Sequence, residues 1–203
     1  MKKEVLFLIL DQYADWEYSF LACALQSGIK DKTSPYEVKT LSLSRDPIKS
    51  IGGFTTIPDY GIEDTPADYA GIILIGGMSW RNEEAKKLVP IVKQAYINTK
   101  VVGAICDATV FLGMNGLLND KKHTSNMLDD LIQASQENYT GKNNYLVKQA
   151  VRDDNLVTAN GTGYLEFARE ALQALNAYPV DYIEDNFSYF KLGYIEFMKS
   201  ING

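Results

Sequence analysis

The chain has 203 residues, 46% of them hydrophobic and 23% charged, with a formal net charge of −6 at pH 7. A chain of this length buries a full core in one domain spanning residues 1–203 without covalent staples. The negative balance, with no basic run beyond Lys86-Lys87 and Lys121-Lys122, argues against nucleic acid as a partner. No apolar run approaches a membrane span, and two cysteines far apart make no disulfide framework, so a reducing, cytoplasmic setting is expected.

Met1-Lys2-Lys3 before the apolar run 5–10 resembles a secretory signal, but the run is short and stops at Asp11 with no cleavage site. A first core strand is the expectation. The polar loop 11–15 leaves its C-terminal end. Residues 16–28 then predict a helix with Trp16, Phe20, Leu21, Ala24 and Leu25 on its apolar side and Gly28 as its stop. Cys23, inside that helix, is expected to be core. Residues 36–43 alternate as a second strand. The stretch 45–68, with three prolines, predicts short strands and turns that bury Ile48, Ile51, Phe54 and Ile57.

Residues 70–75 form a run apolar enough to be buried on both sheet faces, ended by Gly76-Gly77. A helix over 83–98 carries Leu88, Val89, Val92 and Tyr96 on one face, and Pro90 bends or divides it. A second doubly buried strand, 101–105, runs into Cys106 and then a helix reaching about Gly116. His123-Thr124-Ser125-Asn126 reads as an extended piece, and 127–134 as a short helix. Segments 145–151 and 156–159 flank the turn Asp153-Asp154-Asn155 as a hairpin. A helix follows over 163–175, and one or two more from Pro179. Strands alternating with helices predict an α/β three-layer sandwich with a mostly parallel central sheet, which binds ligands outside the carboxyl ends of its strands. Three loops leave such ends: 11–17, 76–81 and the Cys106 corner.

Cys106 stands where a strand turns at once into a helix, and the crowded positions on either side are the small Ala104 and Ala108. The G-x-S-x-G nucleophile elbow follows the same economy. Peptide N–H groups at the helix start favour a thiolate; the alternative is a buried structural cysteine. Glu17 is the candidate acid partner, or simply a first-turn carboxylate suited to the helix dipole. Beside a thiolate it would stay protonated, since two adjacent anions are costly. The backbone N–H groups of Gly77 and Asp107 are candidate oxyanion donors, though the diglycine could be an ordinary turn. Asp15, Gly76, Trp80 and Asn126 are further pocket candidates, Trp80 either as a roof or as a side chain packed on the core edge.

Taken together, Ala14-Asp15-Trp16-Glu17, Ile73-Leu74-Ile75-Gly76-Gly77, Gly103-Ala104-Ile105-Cys106, His123-Thr124-Ser125 and the run 158–168 resemble the DJ-1/PfpI (ThiJ/PfpI) family. The resemblance covers nearly the whole chain. It implies the flavodoxin-like, class I glutamine amidotransferase-like fold, a reactive Cys106 hydrogen-bonded to Glu17, Gly77 and Asp107 as N–H donors, and a homodimer or larger assembly. Protease-like members carry His directly after the nucleophile, where this chain has Asp107. Other members place His where Asn126 stands. The only histidine, His123, has the opposite parity to Thr124 and Asn126 on its extended segment and so is expected to face away from the pocket. No late His-x-Glu pair exists, which excludes a glutamine amidotransferase.

The expected function is therefore a cysteine-dependent enzyme acting on a small carbonyl or acyl substrate: peptidase, amidase or glyoxalase-like. Peptide hydrolysis is the weakest of these, because an amine leaving group needs a proton donor. Asp107 is a candidate general base in place of the missing histidine. No cofactor or metal is expected. The competing readings are a non-enzymatic redox or stress-response protein that uses the same oxidisable thiol, and a chaperone-like binding role for which the aromatic tail beyond Tyr178 could be an interface.

Overall fold

A computed structural model describes residues 2–202. Its central sheet has six strands in the order β2-β1-β5-β6-β8-β7. In chain order they are β1 (Lys3–Leu8), β2 (Tyr36–Leu41), β5 (Gly71–Leu74), β6 (Val101–Ile105), β7 (Ala150–Asp153) and β8 (Leu156–Ala159). The short strands β3 (Ile48–Lys49) and β4 (Thr55–Thr56) form a separate antiparallel pair. Every pairing in the central sheet is parallel except β7 with β8, which form the hairpin predicted around Asp154.

Helices cover both faces, and strand parity decides which residue feeds which layer. On one face Val5 and Phe7 of β1 and Ile73 of β5 pack with α1 (Asp15–Ser27), α5 (Tyr164–Ala174) and the start of α6 (Val180–Leu192). On the other, Leu6, Leu8, Ile72 and Leu74 pack with α2 (Val89–Ile97), α3 (Asp107–Met114) and α4 (Leu128–Ser135). Such a mostly parallel sandwich is the fold class the alternation predicted. Pro90 divides the helix expected over 83–98: a 3-10 stretch, Glu83–Leu88, precedes α2, and Pro90 sits in the first turn of α2, where it sacrifices no hydrogen bond.

Several local expectations fail. Cys23 is exposed, because α1 buries Glu17, Leu21, Ala24 and Leu25, leaving position 23 off that face. Trp16 is 46% exposed, and Ile51, Phe54 and Ile57 are 47%, 71% and 70% exposed. Ile48 does pack against the core, while the tip of the 48–56 hairpin is tethered by polar contacts: Asp15 Oδ2 accepts from Gly52 N at 2.7 Å, and Ile51 N donates to Tyr13 O at 2.8 Å. The aromatic tail divides. Tyr178 is buried with its hydroxyl donating to Ala24 O, and Phe190 stacks edge-on against Phe20 at 4.7 Å, whereas Tyr194 of α7 (Tyr194–Asn202) faces outward.

Candidate active site

Adjacent strands β1, β5, β6 and β8 all deliver their loops to one edge of the sheet. There a cleft of about 400 Å³ is lined by Ala14, Trp16, Glu17, Ile51, Gly77, Met78, Arg81, Cys106, Asp107 and Asn126. Cys106 has φ 59° and ψ −130°, a conformation that side chains rarely adopt. The corner is held by surrounding bonds. Cys106 N donates to Ala159 O at 2.9 Å, and its carbonyl accepts from Thr109 N and from Thr109 Oγ1 at 2.6 Å. Ala104 and Ala108 are fully buried beside it, as the elbow requires.

Asn126 Nδ2 donates to Cys106 Sγ at 3.2 Å, while Asn126 Oδ1 accepts from Gly161 N at 2.9 Å. The Gly161 peptide thereby sets the amide orientation and leaves the NH₂ group for the sulfur. Trp16 Nε1 donates to Gly161 O at 3.0 Å, so the indole stands as a wall at the cleft mouth. Glu17 is 1% exposed, and both its oxygens are buried without a full hydrogen-bond partner; the Cys106 thiol and the Gly76 peptide are the polar groups acting on it.

Burial pushes the Glu17 carboxyl up to about 7, helped by the negative charge of Asp107 and opposed by contacts with Cys106 and Gly76. Burial likewise pushes the Cys106 thiol up, to about 11, with the Glu17 carboxylate adding to the rise; the amides of Asn126 and Asp107 pull the other way. The sequence expectation of a thiolate favoured by helix dipoles is thus opposed by desolvation. The two groups titrate as a pair, and neutralising Glu17 removes one of the causes that hold the thiol up, with burial remaining.

Gly77 pairs with Tyr13 as an antiparallel bridge flanked by Ala14 N to Gly76 O and Met78 N to Gln12 O. In that pattern the Gly77 N–H points away from segment 12–14, and Gly77 lines the cleft together with Cys106. Gly76 lies beneath the pair: a Cβ there would come within 2.3 Å of Glu17 Oε2 and 2.6 Å of Cys106 Cβ. Asp15 does not line the cleft; it holds the hairpin that carries Ile51. Trp80 is no roof either. It is 1% exposed, donates from Nε1 to Ile75 O and packs against Phe111 in the core.

Asp107 turns its carboxylate to Arg81, which donates to it from Nε at 2.9 Å and to Asp130 from Nη1 at 3.0 Å and Nη2 at 2.7 Å. His123 is buried away from the sulfur, between Lys121 O and Tyr139 Oη, as its parity predicted. Sequence reasoning missed Arg81, Asp130, Met78 and the wall role of Trp16. The Arg81 partners lie 26 and 49 positions away, beyond any local pattern. Gly161 was within reach, since it follows the end of β8 at the sheet edge where ligands bind.

The family model for the DJ-1/PfpI family matches residues 3–174. The chain belongs to the DJ-1/PfpI family. Among its relatives, a Bacillus subtilis (strain 168) protein named "Uncharacterized protease YdeA" is 42% identical over 196 residues, covering 96% of this chain and 94% of the relative. The B. subtilis "Uncharacterized protease YoaZ" is 33% identical, covering 98% of each. The crystal structure of a thiJ/pfpI family protein from Bacillus anthracis superposes with a TM-score of 0.90 at 31% identity, covering 98% of this chain and 95% of that one. Among the described residues, no helix is long and apolar enough to cross a membrane.

Proposed function

We propose that this DJ-1/PfpI protein is a cysteine-dependent enzyme acting on a small carbonyl substrate, with Cys106 as nucleophile. The observation that carries the reading is a buried, unpartnered carboxyl, Glu17, set against a sulfur on a strained elbow that opens into a cleft. With Glu17 protonated, the thiolate adds to the carbonyl carbon. A C–S bond forms and the carbonyl π pair moves to oxygen. The N–H groups of Gly77 and Asp107 stabilise the alkoxide, and Glu17 passes it a proton.

Peptide hydrolysis remains the weakest variant. Asp107, which stands where protease-like members have His, is engaged by Arg81 and is not free to act as a base. The reading is tested by following consumption of a 2-oxoaldehyde by native protein and by Cys106→Ser. Loss of turnover in the variant is expected; turnover that survives overturns the proposal. The setting is cytoplasmic, and the assembly, a homodimer or larger as the resemblance implies, is checked by sedimentation velocity.

The unpartnered Glu17 oxygens also favour a second reading, redox sensing. Two equivalents of peroxide would convert the Cys106 thiolate to sulfinate with release of two waters, and protonated Glu17 would hydrogen-bond the product. Mass spectrometry after mild peroxide should then show two added oxygens on Cys106 and none on Cys23. Equal oxidation of both excludes this reading.

A further inference from the structure

Arg81 is the single cationic side chain lining the cleft among the described residues. Alone, it would draw carboxylate-bearing substrates toward Cys106. It is not alone. Asp107 takes Nε and Nη2, and Asp130 takes Nη1 and Nη2. A guanidinium has five N–H donors in a fixed fork, and these bonds engage every nitrogen and leave a single Nη1 hydrogen over. One cation between two carboxylates leaves the triplet with a net negative charge, and Glu17 adds another whenever it ionises. The rest of the lining is apolar or neutral: Ala14, Trp16, Ile51, Gly77, Met78 and Asn126.

We propose that the Asp107–Arg81–Asp130 triplet makes the Cys106 cleft selective for uncharged substrates and excludes anionic ones, so that the carbonyl compounds it takes are neutral aldehydes or oxoaldehydes and not 2-oxo acids. The proposal rests on the carbonyl-addition reading above for its choice of substrate class. The charge selectivity itself belongs to the cleft and is measurable without turnover. The triplet bridges the loop after β5, the N-terminus of α3 and α4, so its charge is fixed in place instead of spread over mobile surface chains.

Iodoacetamide and iodoacetate present the same reactive carbon to the sulfur, one neutral and one anionic. In each case a C–S bond forms as iodide leaves with the C–I pair. The rates of both at Cys106 are measured in native protein at low ionic strength by peptide mass spectrometry, with N-acetylcysteinamide as the reference thiol. The amide-to-acetate ratio at Cys106 is expected to exceed the reference ratio by about tenfold and to shrink as salt is added. Asp130→Asn, which leaves Arg81 balanced against Asp107 alone, should bring the ratio down by about threefold or more. A ratio equal to the reference in native protein, or a faster reaction with iodoacetate, overturns the proposal. If Asp130→Asn does not fold, the salt titration of native protein decides: a ratio that ignores salt overturns the proposal. A selective ratio in a protein that turns over no aldehyde supports the charge selectivity while sinking the carbonyl-addition reading.

Discussion

Glu17 and Cys106 show how burial and dipoles compete over a single proton. A thiol at a helix start gains from peptide N–H groups, yet half-burial and an adjacent carboxylate outweigh them, and the thiol rises to about 11. Neutralising position 17 removes one of those two opposing causes. Glu17→Gln should therefore lower the Cys106 pKa, read from the pH dependence of its alkylation rate, and, if Glu17 donates the proton as proposed, lower turnover by about 10²–10⁴-fold. An unchanged thiol pKa would mean that the carboxyl does not act on the sulfur. The elbow's strain is also a residue-scale property. Glycine alone relaxes at φ 59°, ψ −130°, so Cys106→Gly should be more stable than Cys106→Ala by about 1 kcal/mol in denaturant melts. Both variants should lack turnover.

At the scale of elements, the site is a meeting of four loop ends, and its tolerances come from how closely they approach. Gly76, just after β5, lies directly under the Glu17–Cys106 pair, and an added methyl would collide with both side chains and with Ile105 O at 2.8 Å. Gly76→Ala is expected to cost about 1–3 kcal/mol and to slow Cys106 alkylation, because Glu17 or the elbow must shift. A variant that keeps native stability and reactivity would show that the corner has slack. The Asp15 carboxylate helps anchor the 48–56 hairpin through Gly52 N, next to Ile51. Asp15→Ala should raise KM and leave the alkylation rate of Cys106 by a small reagent nearly unchanged. These elements were legible in different degrees. The doubly buried runs at 71–74 and 101–105 and the proline break at Pro90 follow from short-range chemistry that any window of sequence displays. Trp16 misled because a helical wheel assigns faces by periodicity alone, whereas its indole is held outward by the Gly161 carbonyl, 145 positions away. Trp80 was ambiguous for a similar reason. Only the packing partner Phe111 and the carbonyl of Ile75 place it in the core.

For the molecule as a whole, buried titratable groups link stability to pH. Glu17 ionises at about 7 in the folded chain against an ordinary 4.5. Its stabilising contribution is therefore complete below 4.5 and lost as pH rises through 7. Glu17→Gln should melt close to native protein at acid pH and gain on it across that window, by a difference on the order of 3 kcal/mol. His123 runs the other way. Burial holds its pKa below the ordinary 6.5, so its contribution is present above that pH and lost as pH falls through the folded value. The two contributions oppose each other where their windows overlap, and Glu17→Gln should remove the fall in melting temperature that native protein shows as pH rises through 7.

Hydrophobic period, residue size and strand parity act over a few positions, and they suffice for the α/β sandwich, the sharp corner at Cys106 and the exclusion of His123 from the site. The pairing of Asp107 with Arg81, which also holds Asp130, the reach of Asn126 to the sulfur and the burial of Glu17 come from long-range packing. Those outcomes depend on which loop ends a folded sheet brings side by side, and on the dielectric they create there, which no stretch of chain carries alone.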